Sequence, residues 1–190
     1  MRVVLVGRPN VGKTLLLINF AAYLGASEIT RPGPDSSKIS LEQARRECVS
    51  YVAHKHLTPL TVYFTSTKFS DGGMVLVDTP GIVEGVAEEP GIRHGIGQAL
   101  EELLRAQAIL VVLDGGLDAL PEFDDDLVGL ASRLAPTIIV DNKADAHPEF
   151  KLWVHREHFS GHSVVPLSAV TRRGFRELKQ RLFAVWEAEG

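Results

Sequence analysis

The chain has 190 residues, of which 45% are hydrophobic and 23% are charged, a balance typical of a globular protein. Its formal net charge of −4 at pH 7 argues weakly against nucleic acid as the main partner, because phosphate backbones favour basic surfaces. The single cysteine excludes an internal disulfide, and no stretch approaches the ~20 apolar residues of a membrane span. We therefore expect a cytoplasmic protein with no transmembrane segment.

The first fourteen residues have the order strand, glycine-rich loop and helix. Residues 1–6 (MRVVLV) are apolar and β-branched, GRPNVGKT follows at 7–14, and an apolar helix continues from Leu15. This is the GxxxxGK[ST] spacing of a phosphate-binding P-loop, whose backbone N–H groups and helix N-terminus attract phosphate. Lys13 can then reach the β- and γ-phosphates, and the Thr14 hydroxyl can ligate Mg²⁺.

Residues 26–60 are the least regular part of the sequence. Two prolines and a glycine within Arg31–Ser37 are expected to break regular structure. Ser40 and Gln43 then have the spacing of a capping box, and apolar residues at helical spacing predict a helix over about 41–55. Connections of this length are usually functional or mobile.

The next stretch predicts an antiparallel hairpin. Residues 61–69 (TVYFTSTKF) and 74–77 favour strands, and the DGG sequence at 71–73 indicates a tight turn. Glycines at positions 81, 85, 91, 95 and 97 follow, and a helix is expected from Ile96 to Arg105. This density of glycine indicates a segment that changes conformation.

From residue 108 onward, apolar runs alternate with helical patterns. Strands are predicted at 108–113, 137–140 and 163–166, and helices at 121–134, 148–158 and 172–187. Continuous apolar runs are typical of parallel strands that are buried on both faces. The sequence therefore predicts a doubly wound α/β fold with a mostly parallel sheet of about six strands, helices on both faces, and an antiparallel edge at 61–69.

A second motif, DTPG at 78–81, follows the predicted strand at 74–77. Ligands of doubly wound sheets bind at the carboxyl ends of strands, where this motif is expected. The Asp78 carboxylate can hold Mg²⁺, and the Gly81 N–H can donate to a γ-phosphate oxygen. The motif would couple the glycine-rich segment behind it to the state of the nucleotide.

A third motif, NKAD at 142–145, indicates guanine. The Asp145 carboxylate can accept both the ring N–H and the exocyclic NH₂ of guanine, a pair of donors that adenine lacks. The Lys143 stem can cover the base, and Asn142 can brace the loops.

The last motif is SAV at 168–170, which gains its meaning from its position after the strand at 163–166. There the Ala169 N–H is placed to donate to the guanine O6.

Together these motifs resemble the sequential signature of P-loop GTPases of the translation-factor-related class. GRPNVGKT, DTPG, NKAD and SAV are most similar to the TrmE–Era–EngA branch, which includes the ferrous-iron-transporter G domain. The resemblance implies one GTP-binding (G) domain over residues 1–190, with a long switch I segment at about 26–60. The nucleotide-binding residues that it implies are Asn10, Val11, Gly12, Lys13, Thr14, Leu15, Asp78, Gly81, Asn142, Lys143, Asp145, Ser168, Ala169 and Val170.

The resemblance also implies a switch threonine that contacts Mg²⁺ and the γ-phosphate. Thr61, at the start of the predicted edge strand, fits best, and Thr58 is the alternative. The segment before it is longer than usual in the family. The predicted helix at 41–55 is either a family-specific insertion or a structured loop without a partner.

Ras-like members have a water-orienting glutamine directly after DxxG, but here that position is Ile82, which cannot polarise water. Some GTPases with a hydrophobic residue there use K⁺, held in part by a P-loop asparagine, and Asn10 matches that asparagine. Asn10 is therefore either a K⁺ ligand or a residue that only shapes the loop.

The expected function is that of a molecular switch that hydrolyses GTP to GDP and phosphate by in-line attack of water. The catalytic residues would be Lys13, Asn10, Thr61 and Gly81, and the Mg²⁺ ligands would be Thr14, Thr61 and Asp78. Residues 26–61 and 79–97 would report the γ-phosphate to an unknown protein effector or through a nucleotide-dependent homodimer. The alternative is a guanine-nucleotide-sensing binding or assembly module with negligible turnover.

Several charged and ionisable groups without an assigned role are interpreted as solvated. Arg8 is expected to point to solvent, and the acidic run Asp124–Asp126 to cap and solvate its helix. His155, His158 and His162 lack a spaced carboxylate or cysteine and are expected at a solvated helix end rather than in a metal site.

Overall fold

The computed structural model describes residues 1–31, 37–49, 61–64, 73–82, 90–117, 119–146 and 158–189. Its strands are β1 (Arg2–Val6), β2 (Glu28–Arg31), β3 (Ser37–Ser40), β4 (Thr61–Phe64), β5 (Met74–Asp78), β6 (Ala108–Asp114), β7 (Thr137–Asn142) and β8 (Ser163–Pro166). Its helices are α1 (Lys13–Leu24), α2 (Leu41–Val49), α3 (Pro90–Leu104), α4 (Glu122–Leu134) and α5 (Phe175–Glu189). None of the described helices is long and apolar enough to cross a membrane.

The described strands form one sheet in the order β3-β2-β4-β5-β1-β6-β7-β8. Strands β5, β1, β6, β7 and β8 are parallel to one another. Strand β4 runs antiparallel to both β5 and β2, and β3 runs antiparallel to β2. This topology confirms the predicted doubly wound, mostly parallel α/β fold with an antiparallel edge.

Helices cover both faces of the sheet because its parallel strands are apolar on both sides. Along β6, Leu110 and Val112 pack in a core cluster with α1 and α5. The alternate residues Ile109, Val111 and Leu113 pack in a second cluster with α3 and α4. These two buried layers hold the parallel strands so that their carboxyl ends meet at one edge.

The described residues form a sheet of eight strands rather than the predicted sheet of about six. Strands β2 and β3 lie in the region that the sequence predicts to be irregular, and Arg31 and Ser37, the ends of the predicted break, pair with each other. Ile39 is the one buried residue of β3, so that strand lacks the apolar run by which strands are recognised. The pair joins the sheet through β4, where Thr30 is the register partner of Thr61.

Two helices of the amino-terminal half differ from their predicted bounds. The Ser40 hydroxyl accepts a hydrogen bond from the Gln43 N–H at 3.1 Å, which confirms the predicted cap of α2. Residues 50–55 of that predicted helix lie outside the described residues. Helix α3 begins at Pro90 instead of Ile96 and therefore contains part of the glycine-rich stretch. Proline is well suited to the first turn of a helix, so Pro90 is a local signal for this earlier start.

The last helix begins at Phe175 instead of the predicted Arg172. Arg172 and Gly174 have φ angles of +66° and +86°, which lie outside the helical region. The hairpin residues 65–72 and the predicted helix at 148–158, apart from its final residue, lie outside the described residues.

We expect Gly174→Ala to lower the free energy of unfolding by about 1–3 kcal/mol. Gly174 has φ +86°, and a Cβ there would lie 2.4 Å from the Pro166 carbonyl oxygen. The matched control is Gly97→Ala in α3, where a Cβ meets no atom within 4 Å. Since alanine is the better helix former, the control should gain about 0.5–1 kcal/mol. Urea unfolding followed by circular dichroism measures both, and equal stabilities would contradict the assignment of backbone strain at Gly174.

Candidate functional site

Gly7 and Gly12 hold the P-loop against the ends of β6 and β7. Their φ angles are +150° and +95°, which side-chain-bearing residues rarely adopt. A Cβ on Gly7 would lie 2.3 Å from the Val112 carbonyl oxygen, and a Cβ on Gly12 would lie 2.4 Å from Asn142 Nδ2. The close approach of the loop to the sheet therefore depends on glycine at both positions of the motif.

Lys13 lies inside the site with 6% of its surface exposed. Its ammonium group donates to the carbonyl oxygens of Gly7 at 2.9 Å and Arg8 at 2.8 Å. Burial lowers the pKa of Lys13 to about 8, against the opposing effect of the Asp78 charge. The Lys13 side chain is thus held against the backbone of the P-loop, the loop predicted to bind the phosphates that Lys13 would contact.

Asp78 and Thr14 meet beside Lys13. The Thr14 hydroxyl donates to Asp78 Oδ2 at 2.6 Å, and Asp78 Oδ1 is buried with no hydrogen-bond partner among the described residues. Burial raises the pKa of Asp78 to about 6, although the Lys13 charge and the Thr14 hydrogen bond oppose this rise. A hydroxyl and a carboxylate with an unsatisfied oxygen are hard oxygen donors, and they fit Mg²⁺.

The rest of the DTPG motif is tied to the P-loop and to β1. The Thr79 hydroxyl donates to the Leu5 carbonyl at 2.7 Å, and the Ile82 N–H donates to the Gly7 carbonyl at 3.2 Å. A Cβ on Gly81 would lie 2.7 Å from the Pro9 nitrogen. The Ile82 side chain packs in the core with 8% exposure, so it does not orient water at the phosphate side.

Asn142 joins the P-loop to the SAV loop, as predicted. Its Nδ2 donates to the Val11 carbonyl at 2.8 Å, and its Oδ1 accepts the Ala169 N–H at 2.9 Å. The Ala169 N–H, which the sequence assigns to the guanine O6, therefore already has a partner. Any contact with O6 has to share this donor or replace its bond to Asn142.

Asp145 is exposed at the same edge and is oriented by Ser168. The buried Ser168 hydroxyl donates to Asp145 Oδ1 at 2.5 Å and accepts the Thr171 N–H at 2.9 Å. Lys143, with φ +71°, forms a 2.7 Å ion pair with Asp114 at the end of β6. The NKAD and SAV motifs are thus brought together, as their positions after parallel strands predict.

The remaining predicted site residues have mixed outcomes. Val11 is buried, Leu15 packs partly against the core, and Val170 is 63% exposed. Thr61 begins β4 with its backbone opposite Val77, next to Asp78, but its side chain lies outside what the structure describes. The alternative switch threonine, at position 58, also lies outside the described residues.

The predictions that Arg8 and Asp124 are solvated are wrong. Arg8 Nε donates to Asp124 Oδ1 at 2.9 Å, so Arg8, which is 30% exposed, points to Asp124 rather than to solvent. The Asp124 side chain is only 1% exposed and is therefore buried rather than solvated. Asp124 lies three and four residues before Leu127 and Val128, on the face of α4 that packs on the sheet. The acidic run therefore places its first carboxylate in the interior, where Arg8 neutralises it.

The two histidines that the structure describes in this region make single polar contacts. His158 contacts Asp125 at 2.9 Å, and His162 contacts Ser132 at 3.0 Å. Within the described ranges no three His, Cys, Asp or Glu side chains are grouped so that they could hold a metal ion, and His155 lies outside those ranges.

A family model described as 50S ribosome-binding GTPase matches residues 2–143, which include the P-loop and DTPG motifs. The chain belongs to this GTPase family. This membership confirms the predicted P-loop GTPase of the TrmE–Era–EngA-like kind.

Individual GTPases support the same assignment. GTPase Obg of Clostridioides difficile is 30% identical over 188 residues, covering 92% of this chain and 37% of that protein. The tRNA modification GTPase MnmE of Symbiobacterium thermophilum is 29% identical over 185 residues, covering 97% of this chain and 35% of that protein. The chain therefore spans little more than a third of the length of these curated relatives.

Solved GTPase structures share the fold. Era of Aquifex aeolicus bound to GDP·AlF4⁻ superposes with a TM-score of 0.68 at 22% identity, covering 97% of this chain and 56% of that chain.

Three residues at this GTPase site were not predicted from the sequence: Asn19, Arg45 and Asp114. Asn19 Nδ2 donates to the Ala169 carbonyl at 2.7 Å, and Arg45 donates to Asn19 Oδ1. Asn19 is a lone polar residue among apolar residues of α1, which is the signal that could have revealed it. Arg45 and Asp114 carried no comparable signal, because charged residues are ordinary in an exposed helix and at a strand end.

We expect the nucleotide-free GTPase to lose stability as the pH rises from about 4 to about 6. Because burial raises the pKa of Asp78 to about 6, the folded state binds this proton more tightly than the unfolded state. The free energy of unfolding should therefore fall over this window by up to about 3 kcal/mol, and Asp78→Asn should remove that slope.

Urea midpoints measured at several pH values test this expectation. Asp126→Asn is the control, because Asp126 is an exposed aspartate of α4 and its replacement should leave the wild-type slope unchanged. An Asp78→Asn slope equal to that of the wild type would contradict the raised pKa.

Proposed function

We propose that the chain is a single G domain over residues 1–190 that binds GTP–Mg²⁺ and converts it to GDP and phosphate, with switch I at about 26–60. The observation that carries this proposal is the contact of the Thr14 hydroxyl with Asp78, 2.6 Å long, beside buried Lys13. The buried, unpartnered carboxylate oxygen of Asp78 and the Thr14 hydroxyl are suitable ligands for the metal ion, and the Lys13 ammonium group supplies positive charge for the triphosphate.

In this proposal, each phosphate-site residue has a separate role. Lys13 neutralises charge on the β- and γ-phosphates, and the Gly81 N–H donates to a γ-phosphate oxygen. Mg²⁺ supplies further neutralisation of the phosphates and is held by Thr14, Asp78 and, in the GTP state, Thr61. The position of Thr61 opposite Val77, the residue before Asp78, supports its choice over Thr58.

Guanine recognition is assigned to the NKAD and SAV loops. Asp145 would accept the two N–H donors of the base, and the Ser168 hydroxyl supports this role because it orients the carboxylate. Lys143 would cover the base, while Asn142, Ala169 and the P-loop segment Asn10–Leu15 complete the pocket, which Val170 borders.

We also propose that K⁺ assists hydrolysis and that Asn10 helps to bind it. Asn10 is exposed and has φ +65°, a conformation that asparagine tolerates better than most residues. With Ile82 buried in the core, hydrolysis needs another source of positive charge or another way to orient water.

The switch would act in the cytoplasm on an unknown protein effector. The single cysteine of the chain supports a reducing compartment. A nucleotide-dependent homodimer is the other form that the readout could take. One relative is named as a tRNA modification GTPase, but this chain matches only 35% of its length, so that name does not identify the partner of this chain.

Multiple-turnover phosphate release from GTP in the presence of Mg²⁺ tests the proposed activity and its base specificity. Asp145→Asn should lower kcat/KM for GTP by about 100-fold or more, because the base loses the acceptor of its two donors. Xanthosine triphosphate, which carries an oxygen where guanine has its NH₂, should become the better substrate. The Asp126→Asn control should behave as the wild type, and an unchanged kcat/KM for GTP in Asp145→Asn would contradict the assignment. Absence of phosphate release from the wild type would favour the sensing module.

Single-turnover hydrolysis in KCl and in NaCl of equal ionic strength tests the K⁺ proposal. The wild-type rate should be at least about tenfold higher in KCl. Asn10→Gly keeps the positive φ available but removes the amide, so its rate in KCl should fall to the NaCl value. Equal wild-type rates in the two salts, or full KCl stimulation of the glycine variant, would show that Asn10 only shapes the loop.

A further inference from the structure

Asn19 is a buried amide whose two ends are both engaged. It lies in the apolar helix α1 with 4% exposure. Its Nδ2 donates to the Ala169 carbonyl at 2.7 Å. Its Oδ1 accepts from Arg45 Nε at 2.9 Å and from Arg45 Nη2 at 2.6 Å. The amide therefore links helix α2 to the SAV loop across α1.

The reach of Arg45 is set by the docking of α2 on α1. Ala44 is 3% exposed in the core cluster that α1 shares, and Leu41 and Cys48 pack against the same cluster. These residues have the i, i+3, i+7 spacing of one helix face. Arg45 follows Ala44 directly, so the same contact that buries this face brings the guanidinium group to Asn19.

The Ala169 peptide groups are held from both sides. The Ala169 N–H is bonded to Asn142 at 2.9 Å, and the Ala169 carbonyl is bonded to Asn19 at 2.7 Å. Asn142 in turn donates to the Val11 carbonyl of the P-loop at 2.8 Å. The neighbouring Ser168 orients Asp145, so a displacement of Ala169 would disturb the carboxylate proposed to bind the base.

Arg45 also decides which end of the Asn19 amide faces the loop. A guanidinium group has only hydrogen-bond donors, so it can bond to the oxygen of the Asn19 amide but not to its NH₂ group. With the oxygen held by Arg45, the NH₂ group faces the Ala169 carbonyl. Without Arg45, a rotated amide would place its oxygen against that carbonyl, and the two acceptors would repel each other.

We propose that Asn19 and Arg45 are positioning residues that slow the release of guanine nucleotide by fixing the SAV loop from the α1 side. This inference rests on the proposed assignment of residues 168–170 to the guanine base. Because α2 lies within the proposed switch I segment, undocking α2 from α1 would loosen the base loop and speed release. The contact would thereby couple switch I to the guanine end of the nucleotide, away from the phosphates.

Stopped-flow dissociation of a fluorescent GDP analogue from the full chain tests the proposal. Arg45→Ala should raise the dissociation rate about tenfold, because a charge-assisted hydrogen bond to a buried amide is lost. The matched control is Arg46→Ala on the same helix. Among the described residues Arg46 pairs only with Glu42, on the exposed face of α2, so its replacement should leave the rate unchanged. The effect of Arg45→Ala should fall on dissociation and on KM for GTP rather than on the single-turnover rate at saturating GTP.

A double-mutant cycle distinguishes positioning from general loss of structure. Asn19→Ala should also raise the dissociation rate, and the double variant should be no faster than Asn19→Ala alone, because both changes break one linkage. Arg45→Lys keeps a positively charged hydrogen-bond donor, so its dissociation rate should lie between those of the wild type and Arg45→Ala. Multiplying effects in the double variant, or equal rates for Arg45→Ala and Arg46→Ala, would overturn the inference. If Asn19→Ala does not fold, the comparison of Arg45→Ala with Arg46→Ala decides alone.

Failure of the two proposals can be told apart. A wild-type chain that does not retain the GDP analogue would overturn the proposed function, together with this inference. A wild-type chain that retains it, with no difference between the two arginine variants, would overturn only the inference.

Discussion

The burial of Lys13 and Asp78 in one site is the constraint on which the rest of the structure depends. Burial lowers the pKa of the lysine to about 8 and raises that of the aspartate to about 6, because it makes the charged form of each group less favourable than in water. Each charge opposes the shift of its neighbour, which makes the two groups dependent on each other. The β1–β5 register, in which Leu5 faces Asp78, places the carboxylate beside the loop that leads into α1.

Hydrogen bonds join the loops around this charged pair to one another at the carboxyl edge of the sheet. Asn142 bonds to the P-loop at Val11 and to the SAV loop at Ala169. Ser168 orients Asp145, and Ile82 ties the chain after DTPG to Gly7. Each of these loops follows a different strand, so the sheet sets their spacing and the hydrogen bonds set their orientation. A nucleotide that contacts any one loop therefore meets the others at defined positions.

The parts of this arrangement that were predictable are those encoded by local pattern. The apolar run of β6 identified a strand buried on both faces, and motifs that follow parallel strands had to meet at one edge. Strands β2 and β3 were missed because neither has such a run: among the side chains described, Ile29 is the buried one of β2 and Ile39 that of β3. Strand β2 is held by pairing with β4, which is distant in the sequence, and β3 is held by pairing with β2.

Long-range polar contacts were equally inaccessible from the sequence. Asn19 and Ala169 are 150 positions apart, and Arg8 and Asp124 are 116 positions apart. For Arg8 and Asp124, nothing in the local sequence distinguishes a buried partner from a solvated side chain. Asn19 stands out as a polar residue in an apolar helix, but the sequence does not say what it contacts. The P-loop motif itself specified phosphate, but which residues support the loop became visible only once the helices had been placed around it.

The Arg8–Asp124 pair has a consequence for how this sequence can change over evolutionary time. Asp124 is 1% exposed, so loss of Arg8 alone would leave a buried carboxylate without its counter-charge. Replacement of both residues by apolar side chains of similar volume would be tolerated far better than replacement of either one. Positions 8 and 124 are therefore expected to drift together, and a lineage that keeps one member of the pair is expected to keep the other.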